Sequence, residues 1–310
     1  MFVRDINTVK QGRIKSTARC NEDGCVIDDG VITKMGENDY FFTTSTGRAG
    51  ATVEWIRYHT RYDGWDFNLV NLTDAFGVIN LSGPNARKVI EKVVDQDISN
   101  EALPFSGVKG YSIQQTVEVM VMRLGFVGEL SYEIHVPASY MESVWDLLLE
   151  AGQAFGIRNF GVEAQNVLRM EKGHIILGQE SEQRTNLLDV HLGFLWHRDK
   201  PEAKTVGSVA LQQAEQDANR LKLVGIKMQD AKVPGDGCVI VDESRVRGYV
   251  CTIRQSFSVE GIVGLALVEG PLATPGSVLS IYEDECKGNL LKAEVVPLPF
   301  YDPKGSRMKA

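Results

Sequence analysis

The residues whose chemistry stands out lie between Phe160 and Glu180. In the run Phe160-Gly161-Val162-Glu163-Ala164-Gln165-Asn166-Val167-Leu168-Arg169-Met170-Glu171-Lys172-Gly173, positions 164, 167, 168 and 171 fall at i, i+3, i+4 and i+7. Ala164, Val167, Leu168 and Glu171 therefore share one face of a helix. Three are apolar and the fourth is a carboxylate; Gly173 marks the helix stop. An acid on that stripe is disfavoured twice: it loses hydration, and it lies at the negative end of the helix dipole. A residue so placed needs a partner, either a ligand or a neighbouring base such as Arg169.

Other chemistries find little in the sequence. The histidines (His59, His135, His174, His191, His197) show no metal-ligand spacing, so no metal is expected. No Ser-His-Asp order or nucleophile elbow occurs. The five cysteines are scattered, without a Cys-x-x-Cys pair, and read as reduced structural thiols of a cytoplasmic protein.

The elements that must position Glu171 come in two styles. Up to about residue 216, strands and helices are interleaved. Asp23-Gly24 is a hairpin turn between Ser16–Asn21 and Cys25–Asp28, and Tyr40–Thr44 is a further strand. Ser45 or Thr46 is placed to cap a helix carrying Val53, Trp55 and Ile56. Gly83-Pro84 opens a helix with Ala86, Val89, Ile90 and Val93 on one face. Val117–Leu124 alternates as a strand, and Ser139-Tyr140-Met141-Glu142 has the form of a capping box before a helix that stops at Gly152. After Asn219 the chain turns to short strands separated by Gly/Pro turns, which is the pattern of a small β-barrel or sandwich. The expected class is α+β, with one domain over 1–216 and a second over 217–310.

The chain has 310 residues, 43% of them hydrophobic, and a formal net charge of -8. That balance argues against nucleic-acid or anionic-membrane partners, which need a basic patch. No apolar run is long enough to span a bilayer, and Met1-Phe2-Val3-Arg4-Asp5 lacks the apolar core of a signal peptide. A small anionic ligand stays open, because a local group of cations can override the global sign.

Several motifs together resemble one family. Gly125-Phe126-Val127-Gly128-Glu129-Leu130-Ser131-Tyr132-Glu133-Ile134 is similar to the glycine- and glutamate-bearing turn and strand of the aminomethyltransferases, the T-protein family of the glycine cleavage system. Leu168-Arg169-Met170-Glu171-Lys172-Gly173 and Leu177-Gly178-Gln179-Glu180 resemble its "L-R-x-E-x-G" helix and "G-Q-(D/E)" turn. Ile27-Asp28-Asp29-Gly30, Leu81-Ser82-Gly83-Pro84 and the terminal barrel also fit. Asp28–Val31, Thr43–Gly47, Asn100–Phe105 and Val127–Ile134 resemble most of all the C-terminal half of the alpha subunit of heterotetrameric sarcosine oxidase.

The resemblance implies two α+β subdomains and a barrel around a tetrahydrofolate site. It implies capture of a methylene unit as 5,10-methylenetetrahydrofolate, in a sarcosine-oxidase-type amine oxidase or demethylase, with imine or formaldehyde arriving from flavin-containing oxidase subunits. A non-catalytic folate-binding or scaffold subunit and a free-standing aminomethyltransferase are the alternatives. Glu171 matches the family's pterin-binding glutamate, and a carboxylate accepts two N–H bonds from a 2-amino-pyrimidinone edge. The same carry-over puts Phe126, Glu129, Tyr132 and Gln179 at the folate site, and Arg198 and Lys200 against its carboxylate tail. The opposing readings are a turn-capping Glu129, a core Tyr132 and a solvated loop at Arg198.

Two departures from the family matter. Thr52 stands where the T-protein has its catalytic acid, and threonine is no base near neutral pH. Asp28 and Asp29 are the nearest substitutes, unless they are turn residues that bond the backbone. The chain also begins late against the family, with eleven residues before Gly12. From this we expect a first subdomain with an unpaired edge, completed by a separate chain.

Overall fold

In the computed structural model, which describes residues 1–182, 184–199, 205–242, 245–283 and 290–310, the hairpin expected around Asp23-Gly24 joins β1 (Ile14–Cys20) to β2 (Val26–Lys34). Gly24 takes φ +74°, a conformation that glycine adopts without penalty. Asn21 Oδ1 accepts from the N–H groups of Asp23 (3.1 Å) and Cys25 (2.9 Å), closing the turn. β3 (Tyr40–Phe42) adds to β2, giving an antiparallel sheet ordered β1-β2-β3. Helix α1 (Ala49–Thr60) follows. Its N-cap is Arg48 without a side-chain bond, not Ser45 or Thr46; a preceding turn, in which Arg48 N–H donates to Ser45 O, starts the helix later.

The bare edge expected on the first sheet is partly covered. Phe2 bridges Arg19, and Val3 N–H donates to Ala18 O. At the other end of β1, Ile14 N–H donates to Ser106 O.

A second antiparallel sheet is ordered β4-β7-β6-β5, from β4 (Phe76–Ser82), β5 (Val108–Ile113), β6 (Val117–Met122) and β7 (Ser131–Pro137). Its two faces differ in chemistry. Tyr132, Ile134 and Val136 of β7, with Ile79 and Leu81 of β4, join a core with α2 (Ala86–Ile90) and α3 (Met141–Gly152). Ser131, Glu133 and His135 alternate onto the other face. The capping box is not formed: a 3-10 turn over Ala138–Tyr140 leads into α3, and Tyr140 at the N-cap makes no side-chain bond.

α4 (Val162–Glu171) ends where expected, with Gly173 at φ +74°. Its buried stripe differs from the expected one. Ala164 is exposed and Val167 and Leu168 are half-buried, whereas Arg169, Met170 and Glu171 are buried. Only the last turn is enclosed, against the later strand Arg245–Ser256 and the loops that follow α4. A short helix, α5 (Ser208–Gln216), precedes the C-terminal strands β8 (Leu221–Met228), β9 (Val239–Asp242), β10 (Arg245–Ser256), β11 (Gly261–Glu269), β12 (Val278–Tyr282) and β13 (Leu290–Val296). They close a six-stranded barrel in the order β10-β11-β8-β13-β12-β9. The class is thus α+β with a terminal barrel, as expected. Among the described residues, no helix is long and apolar enough to cross a membrane.

Candidate functional site

The two sheets, α4 and the loops before the barrel enclose a cavity of about 1310 Å³. Its wall is built from distant parts of the chain: Arg13 and Lys15 near the start, Asp29 and Gly30 of β2, Asn80 of β4, Glu133 and His135 of β7, Phe126 and His174 on loops, and Met308 near the end. Gly30 is required here, because a Cβ would stand 2.4 Å from Thr43 O.

One wall is flat. Phe126 stacks on His174 with centroids 5.5 Å apart and planes 18° from parallel. His174 Nδ1 lies 2.7 Å from Phe126 O. A carbonyl only accepts, so Nδ1 carries the hydrogen and Nε2 is left as an acceptor. Burial, the largest influence, lowers the His174 pKa, disfavouring the charged ring.

The lining also holds buried ionisable groups. Burial pushes the Glu133 carboxyl up to about 7. Asp29 is pushed up to about 6, by burial first and the charge of Asp28 second. Burial pushes His135 down to about 4; its ring meets Phe41 edge-on at 5.4 Å, and its Nε2 has no hydrogen-bond partner among the described residues. Arg4, Lys10, Arg13 and Lys15 bring four cations to the same cavity. In a chain of net charge -8, that is a local reversal of sign suited to an anionic group.

Of the candidate site residues named from the sequence, Phe126 and Asp29 line the cavity; the other described ones do not. Glu171 turns toward the barrel: Oε1 accepts from Ser256 Oγ (2.6 Å) and Ser258 N–H (3.3 Å), and Oε2 is buried without a partner among the described residues. Gln179 belongs to a buried network in which Arg169 donates to Gln179 Oε1, to Glu180 Oε2 (2.6 Å) and to Thr252 Oγ1 (3.0 Å). Glu129 holds the C-terminal segment, accepting from Tyr301 Oη and from Arg307 Nη1 (3.1 Å). Tyr132 is in the core of the second sheet, where Arg87 Nε donates to its hydroxyl at 3.1 Å. Arg198 pairs with Glu215 at 2.6 Å beside a smaller surface pocket. Lys200 lies outside the described residues.

Thr52 and Asp28 also lie away from the cavity wall. Asp28 forms a buried ion pair with Arg19 and accepts from Ser45 N–H (3.2 Å), and Thr52 Oγ1 is 3.5 Å from Asp28 Oδ2. Asp28 therefore serves a charge partner and a backbone N–H together.

Glu133, His135, His174 and the four N-terminal cations were missed. For Glu133 and His135 a signal was available: alternation along β7 puts them opposite the aromatic and branched residues of the core. Nothing local in the sequence marks Arg4, Lys10, Arg13 and Lys15 as facing one cavity.

Sheets, barrel and cavity define an aminomethyltransferase-type fold, and comparison with known proteins agrees. Two family models match in order: the GCVT N-terminal domain over residues 1–200 and the glycine cleavage T-protein C-terminal barrel domain over residues 222–302. Similar proteins include the aminomethyltransferase of Geobacillus thermodenitrificans (strain NG80-2), 30% identical over 97% of this chain and 80% of that protein. Another is the aminomethyltransferase of Clostridium botulinum (strain Okra / Type B1), 29% identical over 98% of this chain and 80% of that protein. The crystal structure of glycine cleavage system aminomethyltransferase T from Bartonella henselae superposes with a TM-score of 0.84 at 22% identity, over 97% of this chain and 80% of that one. The chain belongs to the aminomethyltransferase, or glycine cleavage T-protein, family.

The expected tie to sarcosine oxidase fares differently. A heterotetrameric sarcosine oxidase from Corynebacterium sp. U-96 matches 49% of this chain at a TM-score of 0.37, which carries no argument. The expectation of a missing leading segment gains no support from these comparisons.

Proposed function

We propose that this chain is a free-standing aminomethyltransferase that moves a one-carbon unit from a sulfur-borne aminomethyl donor to tetrahydrofolate in the central cavity. Family membership supplies the reaction class, and aminomethyltransferases use tetrahydrofolate. The observation that carries the assignment to this site is the chemistry of the cavity wall. A flat aromatic surface at Phe126 and His174 suits stacking of a planar bicycle. Asp29, Glu133 and Asn80 offer acceptors for its ring N–H groups. Arg4, Lys10, Arg13 and Lys15 suit a carboxylate-bearing tail. A volume of about 1310 Å³ accommodates a ligand of that size. Bound folate would supply the secondary amine nitrogens that receive the carbon.

In this reading the tail contacts first assigned to Arg198 and Lys200 pass to the N-terminal cations. Phe126 keeps its stacking role. Glu171 and Gln179 hold the framework by joining α4 and the loop after it to the barrel, and Glu129 ties the C-terminal segment to the turn before β7. The oxidase-module reading, with flavin-bearing partners, has no observation in its favour.

Calorimetric titration with tetrahydrofolate tests the site. Saturable binding by the wild-type chain, weakened at least 10-fold by Phe126→Ala, is expected. Binding that is absent, or unaffected by substitution of the cavity wall, sinks the assignment.

A further inference from the structure

One stretch of the chain is apolar, exposed and held by very little. Between α1 and the 3-10 turn that precedes β4, residues 61–72 carry Tyr62, Trp65, Phe67, Val70 and Leu72. All five are solvent-exposed, Tyr62 to 86% and Trp65 to 62%. Tyr58, in the last turn of α1, adds a sixth exposed side chain to the strip. Among the described residues, no backbone group from Gly64 to Asn71 bonds to another backbone group.

The composition is wrong for a segment that faces only water. Solvated, disordered segments are poor in aromatics, whereas Tyr62, Trp65 and Phe67 fall close together here. With about 150–250 Å² for a fully buried ring, the four exposed aromatics offer on the order of 500 Å². The largest apolar patch on a monomeric protein is typically about 300–600 Å². Val70 and Leu72 bring the strip toward about 800 Å², the share that one partner gives to a standard interface.

The charges on the strip indicate what covers it. Arg61 lies over Tyr58 and Tyr62, its Cζ 4.3 and 4.7 Å from their ring centroids. Arg57 is already paired with Glu54 at 3.1 Å. Among the described residues, Arg61, Asp63 and Asp66 enter no ion pair. A nucleic acid or an anionic lipid surface needs an excess of positive charge. A strip that holds both signs unpaired is instead complementary to a copy of itself.

We propose that this strip is a self-association surface on which a second copy of this chain docks about a two-fold axis. In such a contact residue i meets residue j and j meets i. An antiparallel alignment centred between Asp63 and Gly64 sets Arg61 opposite the partner's Asp66 and Tyr62 opposite the partner's Trp65, and each pair occurs twice. Aromatic and arginine side chains at the centre of a contact carry most of its energy, because the surrounding groups exclude water from them. The interface takes no part in the cavity, since no residue of the strip lines it, and it stands whatever the cavity binds.

Sedimentation equilibrium of the full chain between about 1 and 100 μM tests this. Wild type should approach twice the chain mass within that range. Tyr62→Ser with Trp65→Ser should weaken association at least about 100-fold, with an unchanged far-UV circular dichroism spectrum. Arg61→Asp and Asp66→Arg should each weaken it about 10-fold or more, because each sets like charges opposite one another. Mixing those two variants should restore association, since both pairs regain opposite charges in the mixed dimer. A wild-type chain that stays monomeric at the top of the range overturns the proposal and leaves the strip to a different protein. A dimer indifferent to the ring substitutions overturns it too, because its contact lies elsewhere. Charge variants that recover nothing on mixing also count against it, since the two-fold alignment requires the rescue. Should the double ring variant not fold, the charge variants decide alone.

Discussion

Arg19 and Asp28 face each other across the β1–β2 ladder and form an ion pair that is almost completely buried. Phe2 lies over the guanidinium, 5.6 Å from ring centroid to Cζ. Removing one member strands the other charge, so Asp28→Asn should destabilise the fold by about 3–5 kcal/mol. Thr52→Asp, which restores the acid of the wider family, would bring a second carboxylate to within a few ångströms of Asp28. We expect a loss of about 1–3 kcal/mol from it and no gain in turnover. Urea midpoints at constant m-value check both, and a stabilised Thr52→Asp protein would contradict this account.

Glu133 also predicts a pH effect on the free protein. Its folded pKa is raised to about 7, above the ordinary carboxyl value. A raised pKa means that the folded state binds the proton more tightly. Relative stability is therefore fully present below the unfolded pKa and is lost as pH rises toward 7. Glu133→Gln removes that loss. The variant should match wild type near pH 4.5 and exceed it at pH 8. The carboxyl is partly exposed to the cavity, which trims the gain to about 1 kcal/mol. Denaturation midpoints at the two pH values report it; an equal difference at both would show that burial does not disfavour this carboxylate.

Gly30→Ala should cost about 1–3 kcal/mol. Its Cβ would meet backbone, Thr43 O at 2.4 Å, rather than a side chain that could move aside. Tolerance of alanine in thermal melts would mean that the strand end at Thr43 is free to shift.

The cations of the cavity predict a dependence on the ligand's tail. Lys10→Ala with Lys15→Ala should weaken tetrahydrofolate about 3- to 10-fold, more for polyglutamylated forms than for the monoglutamate. The difference should shrink as salt rises. Calorimetry at two salt concentrations measures it, and equal losses for both tail lengths would assign the tail elsewhere.

Much of the fold was legible because local chemistry dictates it. Asp23-Gly24 fixes a tight turn, Gly173 stops α4, and period-2 alternation sets which side of β7 faces the core. The Gly/Pro turns after Asn219 pick out the barrel strands with small shifts at their ends. The start of α1 and the failed capping box were not legible, since preceding turns take over where the side chains of Ser45 and Ser139 were expected to act.

The site divides the same way. The sequence by itself marked Glu171 as a carboxylate on a helix face that must find a partner. It could not name that partner, because helical periodicity defines a face and not what covers it. Ser256, 85 positions away, lies against that face only because the barrel packs on the last turn of α4. The cavity is likewise a tertiary object: Arg13, Asp29, Glu133, His174 and Met308 meet nowhere along the chain. Which carboxylate is committed to the framework and which is left facing the cavity was decided by sheet pairing and by the docking of the barrel.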